Sequence, residues 1–252
     1  MTVDDDRLAR DLAAEAGRLL LGLRAAGGDP GELRNAGDRQ SHEFLAGALA
    51  RLRPADAVLS EEGRDDPARL AAERVWIVDP LDGTREYGEP GRADWAVHVA
   101  LWDRGELTAG AVALPAQEKV LSTAEPPAPP PALQPGRPIR VLASRTRPPA
   151  FLARLAGQLE LEVTPMGSAG AKAAAVITGD ADAYLHSGGQ YEWDSAAPVA
   201  VARAAGLHTS RLDGSALAYN QTDPSLPDIL ICPAGLAATL LAGLRTVDCP
   251  AA

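Results

Sequence analysis

The chain has 252 residues, enough for one large domain or two compact lobes with a sizeable core. Lys plus Arg total 24 against 34 Asp plus Glu, a net charge of −10, which excludes the basic footprint that nucleic-acid polymers require. Hydrophobic residues make up 46% and aromatics only 4%, so Ala, Leu and Val must fill the core, and no apolar run approaches the roughly 18 residues of a membrane span. The acidic start Met1-Thr2-Val3-Asp4-Asp5-Asp6 is the opposite of a secretory signal, and a cytoplasmic protein is expected. Cys232 and Cys249 lack zinc-like spacing; Cys232 reads as a buried thiol and Cys249 as part of a frayed tail.

Leu8, Leu12, Ala16, Leu19, Leu20 and Leu23 recur at helical spacing, and Gly27-Gly28-Asp29-Pro30 stops that helix. A second helix is predicted from Asp38 to Leu52, with Asp38 at its start as a cap, a catalytic group or both. Val58-Leu59-Ser60 is a short strand leading into Glu61-Glu62, which alone would be a solvated loop. Val75-Trp76-Ile77-Val78 reads as a buried strand; Asp79 ends it, Pro80 blocks its continuation, and Asp82-Gly83-Thr84 opens a helix. Trp95 to Trp102, Leu107 to Leu114 and Lys119 to Thr123 read as antiparallel strands. The stretch from Glu125 to Pro138 is stiff and polyproline-like, a spacer or a peptide ligand. It sets residues 126–138 as a connector between an α+β lobe (1–125) and an α/β lobe (139–252).

Beyond the connector, strands are predicted at Ile139 to Ala143, Leu161 to Pro165, Ala183 to His186 and Ile229 to Cys232. Helices are predicted at Pro149 to Leu159, Ala169 to Thr178, Ser195 to Ala205 and Gly235 to Leu244. The alternation makes the class α/β.

Six acidic residues stand where strands or loops should turn into helices: Asp38, Glu61, Glu62, Asp79, Asp82 and Asp194. Gathered together they repel, since two carboxylates about 4 Å apart cost roughly 4 kcal/mol at an effective dielectric near 20. A cluster of this kind calls for cations, and hard oxygen ligands suit Mg²⁺. Asp79-x-x-Asp82 places two carboxylates around one turn, with the Leu81 carbonyl open as a third ligand. Gly83 and Thr84 offer backbone N–H groups for a phosphate at the helix start. Taken singly, each motif has a plain structural reading: Asp-Gly-Thr is a turn, and Asp194-Ser195 a helix cap with Pro198 in the first turn.

Asp79-Pro80-Leu81-Asp82-Gly83-Thr84 together with Trp193-Asp194-Ser195-Ala196-Ala197 resembles the paired motif of the inositol monophosphatase superfamily, Mg²⁺-dependent, lithium-sensitive phosphomonoesterases. Asp38, Ser60-Glu61-Glu62, Gly167-Ser168 and Leu217-x-Tyr219-Asn220 follow in the expected order, so the resemblance covers nearly the whole chain. Glu192-Trp193-Asp194 and Gly167-Ser168-Ala169-Gly170-Ala171-Lys172 are most similar to the CysQ branch, the 3'(2'),5'-bisphosphate nucleotidases. The resemblance implies a layered αβαβα sandwich and a homodimer. It implies one Mg²⁺ held by Glu61, Asp79 and the Leu81 carbonyl, and a second by Asp79, Asp82 and Asp194, with room for a third, weaker one near Glu61. A water activated by the ions would attack, with Thr84 as proton relay and Asp38 as base; Gly83 and Thr84 would hold the phosphate oxygens. Glu61, Leu81, Asp82 and Asp194 would also border the substrate.

Ser168 and Lys172 should share a helix face, where Lys172 suits a second phosphate or is a solvated surface lysine. His186 stands where inositol phosphatases carry a carboxylate and nucleotidases a basic residue; it favours a second anionic group or is structural. Tyr191 stacks on a base or packs. The expected reaction is hydrolysis of 3'-phosphoadenosine 5'-phosphate to AMP, and of its sulfated analogue, tying the chain to sulfate assimilation. The alternatives are a broader sugar phosphatase acting on inositol monophosphate or fructose 1,6-bisphosphate, and a catalytically silent metal- or nucleotide-binding protein.

Overall fold

The structure, a computed structural model, describes residues 4–131, 133–134 and 136–247. Met1 to Val3 of the acidic start, Cys249, and positions 132 and 135 of the proline-rich connector lie outside the described residues. The first sheet is built from β1 (Ala57–Ser60), β2 (Arg74–Asp82), β3 (Ala96–Asp103), β4 (Glu106–Leu114) and β5 (Lys119–Ser122), side by side in chain order. β1 and β2 run parallel and the remaining neighbours antiparallel. Side chains alternate across a strand, so a sheet covered on both faces reads as a continuous apolar run. In β2, Trp76 and Val78 pack with α1 (Asp5–Ala26) and α2 (Pro30–Leu52). Val75 and Ile77, on the opposite face, pack with α5 (Ala169–Ile177) and α6 (Glu192–Ala204).

The second sheet has the order β7 (Leu161–Met166), β6 (Ile139–Ser144), β8 (Ala183–Tyr191), β10 (Ser225–Pro233) and β9 (Leu207–Ser210). Leu142, Tyr184, Ile229 and Ile231 face α5 and α6; Val141, Leu185, Leu230 and the buried thiol of Cys232 face α4 (Phe151–Ala156) and α7 (Ala234–Thr246). The result is the five-layer αβαβα sandwich implied by the resemblance. The two sheets fall on either side of residues 126–138, but α5 and α6 are shared between them and give both a common core. Among the described residues, no helix is long and apolar enough to cross a membrane.

Most predicted elements form, and the departures have local causes. α2 starts at Pro30, where the Asp29 carboxylate accepts from the amides of Gly31 and Glu32 at 2.8 and 3.1 Å. Asp38 therefore lies mid-helix and caps nothing; the first turns of α2 are mostly polar and half-exposed, which hid their helical spacing. β2 runs through Pro80 to Asp82 instead of stopping at Asp79, because a bulge absorbs the proline. α6 begins at Glu192, three residues early, which puts Pro198 inside the helix and not in its first turn. The 3-10 turn Pro67–Ala71 and strand β9 carry too little periodicity to be read beforehand.

Close packing of α6 on β4 depends on Gly110, where an added Cβ would meet the Ala200 Cβ at 2.6 Å and the Ala197 carbonyl at 3.3 Å. Gly110→Ala should lower stability by about 1–3 kcal/mol through overpacking. Denaturant unfolding checks this; an unchanged midpoint would show that the interface has slack.

Candidate active site

Three carboxylates meet where β2, α5 and α6 converge. One oxygen from each of Asp79, Asp82 and Asp194 lies within 4.8 Å of the other two. Asp79 and Asp82 are three positions apart, and in a regular strand they would point to opposite faces. The extra residue of the bulge, between the pairs Asp79↔His98 and Asp82↔Ala96, brings them to one side. The predicted turn after Asp79 is thus replaced by a β-bulge that does the same job, and Pro80, lacking an N–H, forfeits no ladder bond there. The Asp79 carboxylate accepts from the Leu81 amide at 3.0 Å, and Ser41 Oγ donates to the Pro80 carbonyl at 2.7 Å, pinning the bulge to α2.

Asp82 sits at the N-terminus of α5 and takes three donors: Ser168 Oγ at 2.5 Å, the Ala169 amide at 3.0 Å and the Gly170 amide at 2.6 Å. Ser168 has φ 52°, and its hydroxyl oxygen also accepts from the Ala171 amide, so one side chain both caps α5 and binds Asp82. His98 Nδ1–H donates to the Trp193 carbonyl at 3.0 Å, leaving Nε2 3.3 Å from Asp82 as a charge contact without hydrogen-bond alignment. Burial alone would raise the Asp82 pKa; His98, Lys172 and Ser168 outweigh it and hold the carboxyl well below the usual range.

The neighbouring carboxyls go the other way. Burial, then Glu61, Asp82 and Asp194, raise Asp79 well above its ordinary value. Asp194, at the third position of α6, accepts from the Tyr191 amide at 2.7 Å; burial and the Asp82 charge push it up to about 7. Glu61 is exposed but stands close to Asp79, Asp82 and Asp194, and is pushed to about 7 by desolvation and the Asp194 charge. Glu62 is also exposed and acts on the site as a charge near Asp38.

Glu61, Asp79, Asp82 and Asp194 therefore converge as a hard-oxygen set that resists full ionisation, which is the donor chemistry a divalent cation fits. Without cations three of the four tend to keep protons, so metal binding must displace them. Thr84 Oγ1 lies 3.1 Å from Asp38 Oδ1 and 3.0 Å from the Leu81 carbonyl, joining α2 to the start of α3 (Thr84–Gly88). Burial, then the Glu62 charge, raise Asp38 to about 6. Gly83 adopts φ 84°, and a Cβ there would crowd the Asp94 carbonyl and Ser168 at 3.1 Å, so glycine is required at this turn.

A polar cavity of about 220 Å³ opens beside the carboxylates, with Ser168, Lys172, His186, Gln190, Arg145 and Arg147 in its wall. Lys172 is buried against the Tyr184 ring, and its Nζ donates to the Ser168 carbonyl at 2.6 Å and, more weakly, to those of Gly167 and Met166. It is not the solvated surface lysine the sequence allowed. His186 Nε2–H donates to the Gly188 carbonyl at 2.8 Å, and burial, with nearby Lys172 and Arg147, pushes its pKa down to about 4. The imidazole is neutral at pH 7 and keeps Nδ1 as an unpartnered acceptor, so it carries no charge for an anion. Tyr191 stacks on Trp193 with centroids 4.7 Å apart.

Sequence reasoning missed the two arginines after β6. Arg145 is committed to Glu86 and Glu89, whereas the guanidinium of exposed Arg147 makes, among the described residues, a single hydrogen bond, at 3.2 Å to the Gly189 carbonyl. The signal was present: Ser144-Arg145-Thr146-Arg147 ends a strand with parallel neighbours, and ligands gather at the carboxyl ends of such strands.

The family model described as Inositol monophosphatase family matches residues 7–127 and 138–246. The chain belongs to the inositol monophosphatase family. Within it, the chain is 55% identical over 239 residues to a Mycobacterium bovis protein named 3'-phosphoadenosine 5'-phosphate phosphatase, covering 91% of this chain and 89% of that one. It is 34% identical over 203 residues to the Escherichia coli 3'(2'),5'-bisphosphate nucleotidase CysQ, covering 76% and 81%. The crystal structure of CysQ from Bacteroides thetaiotaomicron, a bacterial member of the family, superposes with a TM-score of 0.78 at 26% identity, covering 91% of this chain and 97% of that one.

Raised carboxyl pKa values carry a stability consequence. Glu61 and Asp194 rise from 4.5 and 3.8 to about 7, so between these limits the native state binds more protons than the unfolded chain. In EDTA, stability should therefore fall as pH rises from about 4 to about 7, and Mg²⁺ or Mn²⁺ should raise Tm more near pH 7.5 than near pH 5.5. Thermal scans at both pH values check this; an equal metal effect would contradict it.

Proposed function

We propose that this family member is a Mg²⁺-dependent phosphomonoesterase that removes the 3'-phosphate of 3'-phosphoadenosine 5'-phosphate, and of its sulfated analogue, to serve sulfate assimilation. The observation that carries the reading is the convergence of Glu61, Asp79, Asp82 and Asp194 beside Gly83, Thr84 and the arginine-bordered cavity. The name of the 55% identical relative supports the substrate choice.

The four carboxylates and the Leu81 carbonyl would hold two Mg²⁺ ions, which supply charge stabilisation for the attacking and leaving oxygens of an in-line phosphoryl displacement. Thr84 and Asp38 manage the proton. The Thr84 hydroxyl can accept from an attacking water while passing its own proton to Asp38, 3.1 Å away. With a pKa near 6, Asp38 is ionised at neutral pH yet basic enough to take that proton. The water oxygen bonds to phosphorus and the bond from phosphorus to the 3'-oxygen breaks. The departing 3'-oxygen takes a proton from solvent water and Asp38 later returns its own to solvent, so the products are AMP and inorganic phosphate and no covalent intermediate is needed.

The substrate's second anionic group falls to Arg147, because its guanidinium is little committed, Arg145 is held by two glutamates and His186 is neutral. His186 Nδ1, as an acceptor, suits a hydroxyl. That feature also fits a sugar phosphate, which keeps hydrolysis of inositol monophosphate or fructose 1,6-bisphosphate as the second reading.

Phosphate release from the three substrates, with and without Mg²⁺, tests the reading. The nucleotide should be preferred, and Arg147→Ala should raise its KM about tenfold while leaving inositol monophosphate unchanged. Asp79→Asn should cut the rate by about a hundredfold or more, with an equal or higher Tm in EDTA because the metal-free site no longer has to protonate a buried carboxyl there or bear its charge. A preference for inositol monophosphate, or release indifferent to Mg²⁺, would overturn the assignment.

A further inference from the structure

Arg69 lies in the 3-10 turn Pro67–Ala71, eight positions after Glu61, and is only 1% exposed. Its guanidinium donates to Asp65 at 2.7 and 3.1 Å, to Asn220 Oδ1 at 2.7 Å and to the Gln221 carbonyl at 2.9 Å. The Asn220 amide side chain donates back to the Arg69 carbonyl at 3.2 Å. From the other side Glu192, also 1% exposed, takes the backbone amides of Asn220 and Gln221 at 2.6 and 2.7 Å, one on each carboxylate oxygen. Glu192 is the first residue of α6, and Asp194 follows two positions later. Asn220 stands at φ 58°, a conformation asparagine tolerates better than most residues and which these bonds hold in place.

The chain of contacts thus runs from the loop that carries Glu61, through Arg69, Asn220 and Glu192, to the helix turn that carries Asp194. Burying an arginine and a glutamate rarely adds stability over an apolar pair of similar volume, so the arrangement is better explained by the geometry it fixes. Arg69, Asn220 and Glu192 do not line the cavity. We infer that Arg69, Asn220 and Glu192 are positioning residues of the divalent-ion site, a buried strut that sets the spacing between Glu61 and Asp194. This rests on the reading of the carboxylates as metal ligands.

The test is Mn²⁺ titration calorimetry on the purified wild type, Glu192→Gln and Arg69→Met, with Tm in EDTA and the Mg²⁺ dependence of phosphate release. Glu192→Gln leaves one amide facing an NH₂ group, and Arg69→Met removes the bridge. Each should weaken Mn²⁺ binding and raise the half-saturating Mg²⁺ concentration by about 10–100-fold, as outer-sphere partners of metal ligands do. At saturating Mg²⁺, kcat and substrate KM should return to within about threefold of wild type, a split that general destabilisation would not produce. Should Arg69→Met fail to fold, Glu192→Gln decides alone. Variants that bind Mn²⁺ within about twofold of wild type, whatever their Tm, overturn the strut while sparing the metal site. A wild type that binds no Mn²⁺ overturns the metal reading and the strut with it.

Discussion

The constraint on which this fold turns is the repulsion among carboxylates brought together in a low-dielectric pocket. Roughly 4 kcal/mol per close pair is comparable to a large part of a domain's net stability, so the cluster persists only if surrounding groups offset it. The protein splits the load. Asp82 is kept ionised by a helix N-terminus, a serine, a histidine and a lysine. Glu61, Asp79 and Asp194 are left with raised pKa values. One fixed anion beside three reluctant ones is a site prepared to exchange protons for cations.

Secondary structure delivers these groups from far apart in the chain. A bulge turns Asp79 and Asp82 to one side of β2, α5 points its first amides at Asp82, and the first turn of α6 presents Asp194. α5 and α6 form the middle layer, so any shift of that layer against the first sheet would move Asp194 relative to Asp79. Packing as tight as that at Gly110 therefore bears on the site as well as on the core.

Much of this was legible in the sequence, and the parts that were not share a cause. The convergence of Asp79, Asp82 and Asp194 was readable because acidic side chains at turns are a specific signal and the spacing in Asp79-Pro80-Leu81-Asp82 is short. Alternation and apolar runs such as Val75 to Val78 carried only the α/β class; the five layers came with the family resemblance. The mid-helix position of Asp38 was hidden because polar residues fill the turns before it. The state of His186 was hidden as well: its type suggested a cation, but burial and the Gly188 carbonyl make it a neutral acceptor. Arg69, Asn220 and Glu192 meet across about 150 positions of sequence, and only the tertiary fold makes such a contact visible.

The most direct measurement is a crystal of this protein soaked in Mn²⁺ and recorded for anomalous scattering. The account predicts two strong peaks bridged by Asp79, each within coordination distance of Asp82 and Asp194 on one side or of Glu61 and the Leu81 carbonyl on the other. Peaks confined to other surfaces, or none among these carboxylates at millimolar Mn²⁺, would contradict it.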